Sequence, residues 1–212
     1  MSEPLTTTNA GAAAESPVCA HYKALHSQCG TILSASLAGG NEAKLARSHL
    51  FVQEIEIWTS VLGSRRENTL LKMAAHEYQY AILALAQGHY RHAFKGLRLV
   101  LELTLQAGYL STRELELREW LQNRKDTVWA ALVDRENGVL SVRYARSFFP
   151  SLEEHVSYHC ALAEQVYREC SECVHGNIPK HIPLPDSLAF LQGSFDLWHA
   201  KSDSRGTRRH IL

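Results

Sequence analysis

Proline is scarce in the sequence, and its six residues lie toward the two ends of the chain. They occupy positions 4, 17, 150, 179, 183 and 185, so residues 18 to 149 contain none. Because proline lacks a backbone N–H and ends or kinks a helix, this long stretch can hold uninterrupted helices. Alternating patterns bounded by turn dipeptides, which are typical of strands, are missing, whereas apolar residues recur at spacings of three and four. We therefore predict an all-α bundle of about five to seven helices.

The chain also lacks an excess of either charge. Its 22 Lys and Arg residues balance its 22 Asp and Glu residues, so net charge gives no sign of a nucleic-acid or membrane partner. No apolar run reaches the roughly 18 residues that a membrane span needs. The first residues contain no basic segment followed by an apolar one, as a secretory signal would. We expect a cytoplasmic protein without a membrane partner.

The sequence divides into one long helical region between two polar ends. Residues 1 to 16 have little to bury and residues 201 to 212 are polar and basic. We therefore expect a disordered N-terminus and a flexible basic tail around a single helical domain of residues 17 to 200. Caps and breakers mark the helix ends. The first four predicted helices run from Pro17 to Gly39-Gly40, from Asn41 to about Gly63, over about 69 to 87 after Asn68, and over about 89 to 107. Two short helices follow, one that begins at the capping box of Ser111 and Glu114 and one over about 127 to 136. The last two run from the capping box of Ser151 and Glu154 to His175, and from Asp186 to Trp198.

The predicted helix of residues 152 to 175 has two different faces. At 100° per residue its apolar side chains fall on one stripe, which we expect to face the core. On the opposite side, Arg168 and His175 lie two helical turns apart, with Glu164 and Ser171 beside them. Polar residues on such a face are most often only solvated, so the spacing by itself leaves that interpretation open.

A metal site is the competing chemistry on this helix. Cys170, Cys173 and His175 are closely spaced, and His155 and His159 form a pair one turn apart that can chelate an ion. On a straight helix, however, His155 lies about 22 Å before Cys170. The two cysteines also fall on the core side, whereas His175 does not. With only five cysteines in the chain, we expect reduced, buried thiols, no metal and no cofactor, and we keep zinc as the alternative.

The residues of the polar face resemble a family signature. Tyr167 to Asn177 contains an Arg, six further residues and then a His at a helix end. This R-x6-H pattern resembles the HEPN superfamily, the higher eukaryotes and prokaryotes nucleotide-binding domains. The all-α prediction, the chain length and the helix end at His175-Gly176 agree with the resemblance, which would extend over residues 41 to 200. Family members commonly have Asn, Asp or His directly after the Arg, where this chain has Glu169.

The resemblance implies a metal-independent endoribonuclease in which two protomers bring their Arg-His pairs into one cleft. Arg168 would hold the scissile phosphate, and His175 would move the protons that attack by the ribose 2′-OH requires. Glu169, Ser171 and Asn177 would support this site. The implied partners are RNA, a second copy of the chain and a regulatory or antitoxin protein, because members of the family usually serve as toxins or effectors in bacterial defence.

Two groups of basic residues are further candidates for RNA binding. They are Arg91, Lys95 and Arg98 in the fourth predicted helix, and Arg143 and Arg146 further along the chain. The first group recurs once per helical turn and could guide a phosphate backbone. The second lies beside aromatic residues that could stack on unpaired bases. A solvated surface is the simpler interpretation of both groups.

A second hypothesis belongs to a different class of protein. A helical adaptor would keep the HEPN-like dimer surface but lack catalysis, and would act inside a larger defence complex. Glu169 and the balanced charge favour the adaptor, whereas Arg168 and His175 favour the enzyme.

Overall fold

The computed structural model describes residues 15–176 and 180–203, and within these ranges the chain forms nine α-helices and no strand. The helices are α1 (Pro17–Leu37), α2 (Asn41–Leu62), α3 (Asn68–Ala86), α4 (Tyr90–Ser111), α5 (Glu114–Leu121), α6 (Trp129–Leu132), α7 (Val142–Phe148), α8 (Val156–His175) and α9 (Gln192–Ser202). A 3-10 turn, Pro150–His155, precedes α8. The all-α prediction is confirmed, and the nine described helices exceed the predicted number of about five to seven. No helix in the described ranges is long and apolar enough to cross a membrane.

The antiparallel pair of α3 and α4 forms the centre of the bundle. Apolar residues recur along both helices at helical spacing, and Leu70, Tyr78, Phe94 and Val100 are fully buried between them and their neighbours. The two backbones approach closely at Gly96, where an added Cβ would lie 2.8 Å from the Ala81 Cβ. The other long helices, α1, α2, α8 and α9, pack around this pair.

Two asparagines that the sequence predicts as helix caps bind neighbouring helices instead. The Asn68 amide donates to the carbonyls of Thr59 and Gly63, both at 2.8 Å. It thus provides hydrogen-bond donors to two carbonyl groups at the C-terminal end of α2. The Asn41 amide exchanges hydrogen bonds of 3.1 and 2.9 Å with the Gln192 side chain at the start of α9. Both side chains are therefore buried links between helices, which cap preferences along one helix cannot reveal.

Neither predicted capping box opens a helix. Ser111 is the last residue of α4 and its hydroxyl donates to the Gly108 carbonyl at 2.7 Å, because the buried stripe of α4 continues to Leu110. Ser151 lies in the 3-10 turn, none of whose residues is buried. The buried stripe of α8 starts only at Val156, so the helix starts there.

The C-terminal helix also differs from its prediction. It begins at Gln192 rather than near Asp186, because its large buried side chains are Phe195 and Trp198 and prolines precede it. It continues to Ser202, so the first residues of the predicted flexible tail belong to the helix. The remainder of that tail and the first 14 residues lie outside the described ranges. The short helix α7 was not predicted, since seven residues are too few to show a helical period.

Contacts of α9 with the helices around it are specific as well as apolar. The Trp198 indole donates to the Ala93 carbonyl of α4 at 3.0 Å. The Nδ1 atom of His199 shares a hydrogen bond of 2.7 Å with the Ser48 hydroxyl of α2. Nε2 of this imidazole has no hydrogen-bond partner among the described residues. Protonation would therefore place a charge in a site that cannot solvate it.

We expect stability to fall as the pH drops from about 6.5 to about 4, in large part because of His199. Burial, with a smaller effect of Lys44, lowers the pKa of His199 from 6.5 to about 4. The unfolded chain therefore binds the proton first, and the free energy of unfolding decreases through this window by about 2 to 3 kcal/mol. Urea denaturation at several pH values should show a flatter pH dependence for His199→Gln than for the wild type. His76→Gln, on an exposed position of α3, is the control, and identical slopes for wild type and His199→Gln would contradict the assignment.

Candidate functional site

The orientation of α8 is set by contacts with α4 and α6. Its buried face includes Cys170 and Cys173, as the helical spacing predicts. The Tyr167 ring stacks on Trp129, with ring centroids 3.8 Å apart, and the Arg98 guanidinium lies 4.4 Å from the same ring's centroid. Because both groups contact the ring of Tyr167, rotation of α8 about its axis would break these contacts. The face opposite to the core is thereby held toward the outside.

Arg168 and His175 both lie on this outer face. Both side chains are exposed, and neither forms a hydrogen bond or an ion pair within residues 15–176 and 180–203. Their positions are two turns apart, about 10 Å along the axis. Gly176 follows in the left-handed conformation, with φ of +69°, and ends α8 directly after His175.

A further histidine joins this end of α8 through Glu172. The His181 Nδ1 atom lies 2.6 Å from Oε1 of Glu172, and the backbone N–H groups of Lys180 and His181 donate to Oε2 at 3.0 and 3.3 Å. Partial burial raises the pKa of the Glu172 carboxyl, but the hydrogen bonds from His181 and Lys180 outweigh this effect and lower it. Sequence reasoning missed the pair, because the two residues lie on different sides of a helix end.

The basic residues predicted on α4 separate into two groups in the structure. Arg98 is turned inward, with 16% of its side chain exposed, and donates to Tyr167 Oη at 2.5 Å and to Glu102 at 3.1 Å. Since α4 runs antiparallel to α8, Lys95 and Arg91 lie progressively closer to the His175 end. Burial raises the pKa of the Cys173 thiol, and the nearby charges of Arg91 and Lys95 oppose the increase. Two of the three predicted residues therefore lie at the same end of the bundle as His175.

The predicted supporting residues do not lie together. Glu169 is buried and forms an ion pair with Lys201 of α9, and it also accepts from Gln165 at 2.9 Å. The Ser171 hydroxyl donates to the Tyr167 carbonyl within α8 at 2.6 Å. Asn177 lies outside the described residues. The residue that follows Arg168 thus faces α9 rather than the outer face.

The second predicted basic group lies at the other end of α8. Arg146 forms an ion pair with Glu153 at 2.7 Å, which raises the pKa of the Arg146 guanidinium and lowers that of the carboxyl. Arg143 donates to the Asn137 side chain at 2.7 Å and lines a cleft of about 460 Å³ together with Phe148. The length of α8, about 30 Å, separates this cleft from His175, so the two places cannot hold one phosphate group.

The possible metal ligands of α8 are divided between the core and the surface. Cys170 and Cys173 are buried, while His175 is exposed. Burial, together with the neighbouring Cys173, raises the pKa of the Cys170 thiol to about 12, which disfavours the thiolate that a metal would need. Throughout the described part of the chain, no three His, Cys, Asp or Glu residues are grouped to hold an ion. All five cysteines are free thiols.

Comparisons of the chain with models of protein families, with curated proteins and with solved structures find no match. The functional interpretation therefore rests on the residues of α8 and their surroundings.

We expect Glu169 to contribute to stability rather than to the outer face. Glu169→Gln would remove one charged partner of the Lys201 ammonium, in a site where only 10% of that side chain is exposed. Weakening a buried ion pair in this way costs on the order of 2 kcal/mol, which urea denaturation can measure. Glu164→Gln is the matched control, because Glu164 pairs with Arg135 at the surface and should cost less than about 1 kcal/mol. Equal losses in the two variants would refute the structural role of Glu169.

Proposed function

We propose that the protein is a metal-independent endoribonuclease of the HEPN type. It acts in the cytoplasm as a homodimer, as the toxin or effector of a bacterial defence or toxin–antitoxin system. The observation that carries this proposal is the outer face of α8, where Arg168 and His175 are exposed two turns apart and form no hydrogen bond or ion pair with the described residues.

The chemistry of RNA cleavage suits these two side chains. Attack of the ribose 2′-OH on phosphorus requires one proton to be removed from that hydroxyl and one to be delivered to the 5′-oxygen. An imidazole can carry a proton near neutral pH, and the guanidinium fork of Arg168 can bind two phosphate oxygens and offset the charge that develops on them. No step of this reaction needs a metal ion.

The same face supports a symmetric dimer. One α8 provides a single Arg-His pair, so a cleft with two pairs requires a second protomer. Tyr158 and Ala161 are exposed on the same side of α8 as Arg168, and a two-fold axis passing close to this side would place two copies of one surface against each other. The two His175 residues would then lie near the axis.

The surrounding charges suggest a path for the RNA. Arg91 and Lys95 lie at the His175 end of the bundle and can bind backbone phosphates. The distant cleft beside Arg143 contains the aromatic side chains of Tyr144 and Phe148, on which an unpaired base can stack. A single strand that extends along α8 would contact both places.

The second candidate function, a non-catalytic helical adaptor, is favoured by a different surface. Four large apolar residues are exposed along α2 at helical spacing: Leu50, Ile57, Trp58 and Val61 are between 50% and 71% exposed. Apolar surface of this kind is typical of a site for another protein. In a ribonuclease, a restraining antitoxin would be a suitable partner, so this surface is compatible with both functions and only catalysis separates them.

We expect His175→Ala and Arg168→Ala each to reduce cleavage of single-stranded RNA by at least about 100-fold. This is the scale of losing a general acid or base, for His175, and of losing a donor that stabilises the charge of the transition state, for Arg168. Circular dichroism and the thermal midpoint should stay close to wild type, because both side chains are exposed. Cleavage should persist in EDTA and yield 2′,3′-cyclic phosphate and 5′-OH ends, and a 2′-deoxy substitution at the cut site should block it. His76→Ala serves as the control. Undiminished toxicity of cells expressing His175→Ala would favour the adaptor.

We also expect the outer face of α8 to mediate dimerisation. Ala161→Arg introduces a bulky charge on this face and should convert the dimer to a monomer in analytical ultracentrifugation, with a parallel loss of RNA cleavage. Ala200→Arg, at an exposed position of α9, should change neither property. A wild-type protein that is strictly monomeric at tens of micromolar would exclude the composite site.

A further inference from the structure

The pair of Glu172 and His181 has no role in the mechanism described so far. Its geometry is that of a carboxylate orienting an imidazole: Glu172 Oε1 lies 2.6 Å from Nδ1 of His181. The carboxylate is nearly buried, with 14% of its side chain exposed, whereas the imidazole is 53% exposed. Nε2 of His181 has no hydrogen-bond partner among the described residues. An oriented imidazole with one free nitrogen at the surface is suited to proton transfer.

The position of this pair links it to the candidate site. Glu172 lies one turn after Arg168 and one turn before His175, and side chains at these spacings are neighbours on a helix, with about 5 to 6 Å between their Cβ atoms. Because His181 is hydrogen-bonded to Glu172 through its side chain and its backbone, its imidazole lies beside the outer face. The structure thus adds a second histidine to the end of α8 that holds His175.

We propose that His181 is the proton acceptor for RNA cleavage and that Glu172 is its positioning residue. This inference rests on the ribonuclease function proposed above. It assigns one proton transfer to His181 and the other to His175. A site built from the Arg-His pairs alone would instead use the His175 residues of both protomers.

The reaction balances without any further reactant. Nε2 of His181 removes the proton from the ribose 2′-OH, and the oxygen lone pair forms the bond to phosphorus. The bond between phosphorus and the 5′-oxygen breaks, and its electron pair leaves with that oxygen. The His175 imidazolium donates the proton that the 5′-oxygen takes up. The products are a 2′,3′-cyclic phosphate and a 5′-OH end.

The surroundings of the two histidines favour this division. A carboxylate at Nδ1 holds the proton of the neutral ring on that atom, leaves Nε2 free to accept, and stabilises the imidazolium that forms. His175 lies at the C-terminal end of α8 and has no carboxylate partner among the described residues, so its ring is not held in one tautomer in this way. Arg168, Lys180, and Arg91 and Lys95 of α4 also lie at this end of α8, and each of these cations can bind phosphate.

The first test measures the tautomer of His181 and needs no activity. Long-range nitrogen–proton NMR spectra of the neutral histidines should show a proton on Nδ1 of His181 in the full-length protein. In Glu172→Ala the signal should move to the Nε2–H tautomer, which is commoner in free histidine, while the His76 signals stay unchanged. An Nε2–H tautomer in the wild type would overturn the proposal, because that nitrogen could not accept the proton.

The second test separates proton acceptor from proton donor by the leaving group. A uridine 3′-(para-nitrophenyl phosphate) releases a stable phenolate, so its cleavage needs a base but no acid. We expect His181→Ala to cleave both this substrate and RNA about 100-fold more slowly. His175→Ala should be impaired on RNA and close to wild type on the nitrophenyl substrate. Glu172→Gln, which keeps an acceptor for the backbone N–H groups, should lower kcat about tenfold with KM unchanged.

The possible outcomes distinguish the two proposals. If the wild type cleaves neither substrate, the ribonuclease function fails and the inference fails with it. If the wild type is active and both His181→Ala and His181→Asn cleave RNA at the wild-type rate, only the inference is overturned. If circular dichroism shows that His181→Ala does not fold, the result for His181→Asn decides. The asparagine side chain keeps an N–H donor for Glu172 but cannot accept a proton.

Discussion

Helix α8 buries its apolar stripe against α4, and the stack of Arg98, Tyr167 and Trp129 determines its rotation about its own axis. A helix can bury only one stripe in such a bundle, so Arg168 and His175 have to lie outside once Cys170 and Cys173 lie inside. The properties of the candidate site follow from this packing. As a result of this packing, the surface that carries the proposed chemistry is also the surface on which a second protomer can pack.

The balanced charge of the chain conceals a separation of its basic residues into structural and accessible groups. Lys201 and Arg98 are largely buried and bind Glu169, Glu102 and the Tyr167 hydroxyl. Arg168, by contrast, is exposed and can bind an anion at the cost of only a modest loss of hydration. Net charge is thus a poor guide to which cations of this protein a polyanion could reach, because local exposure decides their accessibility.

Two proton transfers on one phosphate require two groups with different protonation states, and the structure provides two different environments. His175 is exposed at the C-terminal end of α8 and has no carboxylate partner among the described residues. His181 is held by a carboxylate, which leaves the opposite nitrogen free. In the proposed site, dimerisation would contribute a second guanidinium and a closed cleft, while each protomer already contains a candidate donor and a candidate acceptor.

Proline positions, glycine stops and the 3.6-residue period act within one segment of chain. They were therefore enough to predict the all-α class, the ends of α1, α2 and α3, the end of α8 at Gly176 and the two faces of α8. The tertiary packing of the chain, by contrast, binds Arg98 and Glu169 inside the bundle, makes Asn41 and Asn68 links between helices, and joins His181 to Glu172. Each of these depends on a partner distant in sequence or beyond a helix end. A side chain's helical phase gives the direction in which it leaves its own helix, but its partner is set by how separate helices pack, and no periodicity along one helix contains that information.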